Sequence, residues 1–152
     1  MESLRLNPGA PTSSHLHFEK DTMVGGVMIK AYTPILINIL GLHLDRSVWQ
    51  RATEHLPDRF DPSHPLSKTL SGEKRSNFSW LPFNGGKRIC FGKTFAELAI
   101  KMTMTMLSQS FDFSFVEDGK YANDRLPSII VGQSHFPPIP MYLTKRAVPA
   151  EK

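Results

Sequence analysis

Cysteine is almost absent from this chain: Cys90 is the only one in 152 residues. An internal disulfide is therefore excluded, as is any zinc or iron–sulfur site built from several thiolates. The single thiol agrees with chemistry carried out facing the cytosol. No apolar run approaches the length needed to cross a bilayer, and the first residues lack the basic-then-apolar pattern of a secretion signal. There is no internal repeat and no low-complexity tract. The net charge of +4 would suit nucleic acid, an anionic membrane surface or an acidic protein partner. No run of Lys and Arg with interleaved aromatics accompanies it, which argues against nucleic acid.

What is present is an ordinary globular composition. With 40% hydrophobic and 21% charged residues the chain can bury a core and is not of the disordered class. Its length suits one domain. The twelve prolines fall between the periodic segments, which predicts a loop-rich chain.

Met1–Leu6 reads as a helix stopped by Asn7, Pro8 and Gly9. Glu2 and Arg5 share a face of it, three residues apart. About six residues are too few for a stable isolated helix, so the chain is expected to begin inside an element and to be a fragment. Gly25 and Gly26 predict a turn between short strands. Residues 33–40 are rich in β-branched residues and apolar on both faces, so they predict a buried strand or a strand-to-helix passage. Residues 57–62 enclose Arg59 and Phe60 between two prolines and read as a rigid extended turn; 63–80 read as a polar surface loop. From Lys93 to Gln109, Phe95, Leu98, Ala99, Met102 and Met106 recur at helical spacing, which predicts a long helix with one buried face. Phe111–Phe115 alternates as a strand with one buried face, and 117–120 form a turn. Residues 128–131 and 141–143 predict two strands around the proline-rich 137–140, and the tail 146–152 is expected to fray.

The most informative stretch runs from Leu81 to Gly92. Gly85 and Gly86 permit a tight bend and a close approach of backbone to ligand. Cys90 and Gly92 stand at the mouth of the long helix, where free N–H groups favour a thiolate. Arg88 offers a planar fork for carboxylates. Taken alone, a single cysteine is more often a small buried hydrophobe than a ligand. Here a thiol, an arginine and a glycine-rich loop share one helix entrance, which suits an anionic, metal-bearing cofactor such as haem.

The spacing of Phe83, Gly86, Arg88, Cys90 and Gly92 resembles the haem-binding signature of the cytochrome P-450 family at all five defining positions. The resemblance implies that Cys90 is the axial thiolate ligand of haem b, that Phe83 packs beside the sulfur and tunes its donation, and that Arg88 holds a propionate. Further matches follow in family order. Glu2, Arg5 and the following Leu6-Asn7-Pro8 resemble the Glu-x-x-Arg helix beneath the haem loop. His15 falls where relatives place a second propionate partner, and Pro11, Thr12 and Ser13 fall where they line the substrate pocket. His43 belongs to a segment in which it is structural. Arg59 resembles the arginine that joins Glu2 and Arg5 in a partly buried triad, and His135 and Phe136 lie at a terminal hairpin turn that reaches substrate.

The resemblance spans residues 1–145 and implies a mainly α fold with small β-sheets (α+β), incomplete as a domain: helix, short strands, meander, haem loop, long helix and terminal β-hairpin. It implies a haem-thiolate monooxygenase that acts on a small organic molecule, with electrons from NAD(P)H delivered by a partner reductase to a basic face that includes Lys74, Arg75, Lys87 and Lys93. The family's oxygen-activating helix and any membrane anchor would lie upstream; a typical eukaryotic member would sit on the endoplasmic reticulum membrane facing the cytosol, and other members are cytoplasmic. A haem-binding remnant without turnover, and a small basic interaction domain in which Cys90 is merely buried, are the other two classes of function that these residues leave open.

Overall fold

The structure is a computed structural model, and it describes residues 1–116, 128–130, 133–135 and 140–146. Two compact units divide it: one comprises residues 1–84 with the strands at 128–130 and 133–135, the other residues 85–116 with 140–146.

The first unit opens with α1 (Glu2–Leu6). Five residues cannot hold a helix by themselves, and this one is held by its polar face, since Glu2 and Arg5 are its buried residues. The helix stops where the Asn7 amide turns back to the Ser3 carbonyl, one residue before Pro8. Strands β1 (Thr22–Val24) and β2 (Val27–Ile29) pair antiparallel, with Val24 opposite Val27 across Gly25 and Gly26. Both glycines have positive φ, 55° and 82°, as a two-residue hairpin turn requires.

Residues 11–16 run antiparallel to 35–40. Leu16 and Ile35 exchange both backbone bonds, the Ser13 amide donates to Ile37 O, and the Leu40 amide donates to Pro11 O. The strand-to-helix passage then becomes α2 (Ile39–Leu44), whose N-cap Asn38 accepts the Gly41 amide through its side chain at 2.8 Å. Burial is narrower than the apolar pattern implied. Ile39 is sealed in, whereas Leu36 and Ile37 are exposed, because the segment pairs by isolated bridges and is covered on only one side.

Residues 57–60 form a 3-10 helix (Pro57–Phe60), not an extended turn. Pro57 occupies its first turn, where a missing N–H costs nothing. Region 63–80 is also more ordered than a solvated loop. It contains two more single turns of 3-10 helix, Pro65–Ser67 and Asn77–Ser79, and an antiparallel bridge between Lys68 and Lys74. Strands β4 (Ser128–Ile130) and β5 (Gln133–His135) pair with each other.

In the second unit α3 (Lys93–Ser110) runs eighteen residues and leads directly into β3 (Phe111–Phe115), which pairs antiparallel with β6 (Met141–Lys145). The strand at 141–145 therefore pairs with β3, and the strand at 128–130 with β5; the two do not form the terminal hairpin expected around 137–140. Arg146, read as the start of the frayed tail, donates its amide to Ser110 O and its guanidinium to Asp112. None of the residues of α3 is buried: Phe95, Leu98, Met102 and Met106 keep helical spacing but are exposed. Phe113 and Phe115 are exposed as well, so the expected buried faces are not covered by described residues. The expected turn at 117–120, Phe136 and the tail 147–152 lie outside the described residues.

Candidate functional site

Two sets of residues stand out from the sequence: the glycine-rich loop with Cys90, and the charged residues Glu2, Arg5 and Arg59. Each is built within its own unit.

In the second unit Gly86 takes φ = 63°, a backbone conformation that costs an ordinary L-residue roughly 1–2 kcal/mol. It starts a 3-10 turn (Gly86–Arg88) closed by the Ile89 amide on Gly86 O. The chain then straightens, and Cys90 O accepts the Lys93 amide while Gly92 O accepts that of Ala96 at 2.9 Å. That is the entry into α3, with Gly92 as N-cap and no side chain capping the first turn. Cys90 is a free, exposed thiol, not a buried hydrophobe. Arg88 is exposed and forms no hydrogen bond or ion pair with the described residues. Around them the apolar side chains of Ile89, Phe91 and Phe95 are also exposed. A Cβ placed on Gly92 would sit 3.7 Å from the Cys90 sulfur, so the glycine leaves one side of the thiol open.

This donor set fits haem. The group needs one soft axial ligand, a cation for its propionates and apolar surface for its porphyrin; the loop presents an unpaired thiol, an unpaired guanidinium and three uncovered apolar side chains. Phe83, the first residue of the motif, belongs to the first unit and is half-buried.

In the first unit Glu2, Arg5 and Arg59 come together with almost no exposure, 3%, 0% and 0%. Glu2 Oε1 accepts from Arg5 Nη2 at 2.8 Å, Arg59 Nε at 3.0 Å and the Leu56 amide at 3.0 Å; Oε2 accepts from Arg5 Nε at 2.8 Å. The remaining guanidinium protons go to backbone carbonyls. Arg5 donates to His43 O, Ala52 O and Glu54 O, and Arg59 to Gln50 O, Arg51 O and Glu54 O. The pair of arginines thus gathers the carbonyls of 50–54 while one carboxylate balances part of their charge. Burial alone would raise the Glu2 pKa; the hydrogen bonds from Arg5 and Leu56 and the two arginine charges outweigh it and hold the carboxyl below its ordinary value. Arg59 is depressed by burial and by the Arg5 charge.

His43 is fully buried. Its ring lies between the Arg5 carbonyl and the Leu81 amide, so it links α1 to the segment that leads to Phe83. Burial, helped by the Arg5 charge, lowers its pKa to about 4 against the opposing pull of the Arg5 carbonyl.

The other expected site residues are dispersed. His15 is exposed, Pro11 is buried, and Thr12 is half-buried. Ser13 is buried, and its hydroxyl donates to Ser14 O and accepts the Ile37 amide. The backbone of His135 pairs with Ser128 in β5. Lys74 and Lys87 are exposed and Lys93 half-exposed. Arg75 departs from the basic surface expected of it. It turns inward, donates to Leu66 O at 2.6 Å and to Arg59 O, and stacks its guanidinium over the Trp49 ring at 4.3 Å. Its inward role had no signal in a Glu-Lys-Arg-Ser run, which reads as solvated surface.

The family model for cytochrome P450 matches residues 1–136 of this chain. The chain belongs to the cytochrome P450 family. Among curated relatives it is 35% identical over 111 residues to cytochrome P450 82A2 of Glycine max, covering 73% of this chain and 20% of that protein. It is 34% identical over 122 residues to a flavonoid-6-hydroxylase of Ocimum basilicum, 77% of this chain and 21% of that one. To the steroid 17-alpha-hydroxylase/17,20 lyase of Felis catus it is 32% identical, 78% of this chain and 22% of that one. The chain spans about a fifth of the length of these relatives. Among solved structures it resembles a retinoic-acid-bound cyanobacterial P450, CYP120A1, with a TM-score of 0.76 and 25% identity over 95% of this chain and 31% of that one. A zebrafish cytochrome P450 with abiraterone gives 0.73 and 24%, again over 95% and 31%, which shows the shared fold. The small antiparallel strand pairs, the short helices and the long α3 are this part of the P450 fold.

Proposed function

We propose that this chain is the haem-binding C-terminal part of a haem-thiolate monooxygenase, with Cys90 as the residue that would hold the haem iron. The observation that carries the reading is the free, exposed Cys90 thiol beside an unpaired Arg88 at the entrance of α3. It stands in a five-residue motif inside the segment that the family model matches.

Bound haem supplies the oxidative chemistry of such an enzyme, one atom of dioxygen entering an organic substrate and the other leaving as water. The chain's own residues bind and orient. Cys90 would hold the haem iron through its sulfur, and Phe83 stands at the motif's aromatic position, which by family resemblance would tune that sulfur's donation. By the same resemblance Arg88 would pair with a propionate, and His15 stands at the family's second propionate position. Gly86 bends the loop, and Gly92 keeps the sulfur uncovered. Pro11, Thr12, Ser13, His135 and Phe136 stand at the family's substrate positions. Glu2, Arg5 and Arg59 hold the scaffold of the first unit. Exposed Lys74, Lys87 and Lys93 offer ammonium groups to the acidic face of a reductase fed by NAD(P)H; electron transfer that falls as salt rises would support such docking, and salt-independent rates would count against it.

No helix among the described residues is long and apolar enough to cross a membrane. A typical eukaryotic member of the family would sit at the endoplasmic reticulum facing the cytosol, and other members are cytoplasmic; fractionation of cells that express the full-length protein separates the two.

Reconstitution with haem, reduction and addition of carbon monoxide test the central reading. A strongly red-shifted Soret band of the thiolate type is expected, and Cys90→Ser should abolish it; a normal spectrum in that variant would end the proposal. The share of the relatives that the chain covers favours a second reading for these residues alone, haem binding without turnover. Substrate-dependent consumption of NADPH by this chain with a reductase would refute that second reading.

A further inference from the structure

Within the first unit, Trp49, Phe60 and Trp80 stand in series, ring centroids 6.0 and 5.7 Å apart, along a cavity of about 570 Å³. That size is usual for a small-molecule pocket. Arg59, Arg75, Lys68 and Lys74 line it as well, and among the described residues no aspartate or glutamate does; Glu73, next to Lys74, is exposed and outside the lining.

Two separate observations ask for the same kind of occupant. Behind the cavity positive charge is in excess: Arg5, Arg59 and Arg75 act on the Glu2 carboxylate, and Glu54, which also feels Arg59, is paired with Arg51. At its edge Lys68 and Lys74 face each other across an antiparallel bridge, and neither has an ion pair with a described residue. Like charges directly opposite destabilise such a pairing, unless an anion lies between them.

An anion would answer both, and the half-buried rings of Phe60 and Trp80 in the lining ask for an apolar, flat body attached to it. We infer that this cavity binds an aromatic monocarboxylate, its ring against Phe60 and Trp80 and its carboxylate between Lys68 and Lys74. The site lies wholly in the first unit and needs neither haem nor Cys90.

Trp49 and Trp80 are the only two tryptophans of the chain, so intrinsic tryptophan emission reads the cavity directly. The 152-residue chain is titrated with phenylacetate, with its neutral isostere phenylacetamide, and with inorganic phosphate. Phenylacetate should shift the emission saturably. The amide and phosphate should each need about tenfold higher concentration, since one lacks the charge and the other the ring. In Lys68→Met/Lys74→Met, whose altered side chains are exposed and leave the far-UV circular dichroism unchanged, phenylacetate should bind about tenfold more weakly. No saturable response to phenylacetate, equal affinity for the amide or for phosphate, or unaltered binding in the double variant would each overturn the inference.

Discussion

The Leu81 amide donates to Nε2 of His43 at 2.9 Å, and Nδ1 of the same ring meets the Arg5 carbonyl at 3.1 Å. An amide can only donate and a carbonyl can only accept, so the ring must be neutral, with its proton on Nδ1. One buried imidazole therefore ties the Glu-x-x-Arg helix to the start of the haem-loop motif, and it can do so in only one protonation state.

Stability should accordingly depend on pH through His43. The unfolded imidazole takes a proton near pH 6.5, the folded one only at about pH 4. Between these values the unfolded chain binds more protons, so stability is complete above pH 6.5 and declines as pH falls toward 4, by roughly 3 kcal/mol in all. Urea denaturation at neutral pH and near pH 4.5 measures this. In His43→Gln the decline over that interval should largely vanish; an equal decline in the variant would assign it to other groups.

Glu2 adds a second, more acidic dependence. Its folded pKa lies below the ordinary 4.5, so its contribution is present above that value and is lost as pH falls through the folded pKa. Removing the carboxylate leaves Arg5 and Arg59 buried without a counter-charge, at a cost of about 3–5 kcal/mol. Glu2→Ala should therefore unfold this chain or bring it close to unfolding at neutral pH, as seen by circular dichroism. Wild-type stability in that variant would show that the carbonyls of 50–54 suffice for the two guanidiniums.

Much of this arrangement could be read from residue order, for physical reasons that differ by element. The paired glycines announce the β1–β2 turn, because few other residues tolerate positive φ there. The periodicity from Phe95 to Met106 gives α3 its length but not its burial, since a period says which residues share a face and not what covers it. The alternation at 111–115 gives a strand, yet its pairing with 141–145 instead of a hairpin around 137–140 depends on a contact distant in sequence. Two-proline spacing suggested extension at 57–62, where Pro57 in fact opens a 3-10 turn. The inward guanidinium of Arg75 and the Leu81 bond to His43 leave no periodic trace, because each joins segments by a single side chain.

Asn38 offers a local test of how α2 is set. Its side chain accepts the Gly41 amide, and loss of an N-cap of this kind costs about 1 kcal/mol. Asn38→Ala should lower the urea midpoint by that amount and Asn38→Asp should retain most of it. Equal stability of the two variants would mean that the backbone pairing of 35–40 with 11–16 fixes the helix start unaided.

The two glycines of the haem loop should fail in different ways. Gly86 holds φ = 63°, and nothing lies within 4 Å of where its Cβ would be. Gly86→Ala therefore meets backbone strain and no collision, and should lower fold stability by roughly 1–2 kcal/mol. Gly92 has φ = −81°, open to any residue, and a methyl there would make ordinary contact with the Cys90 sulfur at 3.7 Å. Gly92→Ala should cost the unliganded fold no more than about 1 kcal/mol, yet weaken haem uptake, because the methyl occupies the open side of the thiol. Denaturation of the apo chain, set beside haem titration followed by the Soret band, separates the two effects. Undiminished haem binding in Gly92→Ala, with its fold intact, would mean that the ligand approaches Cys90 from another side.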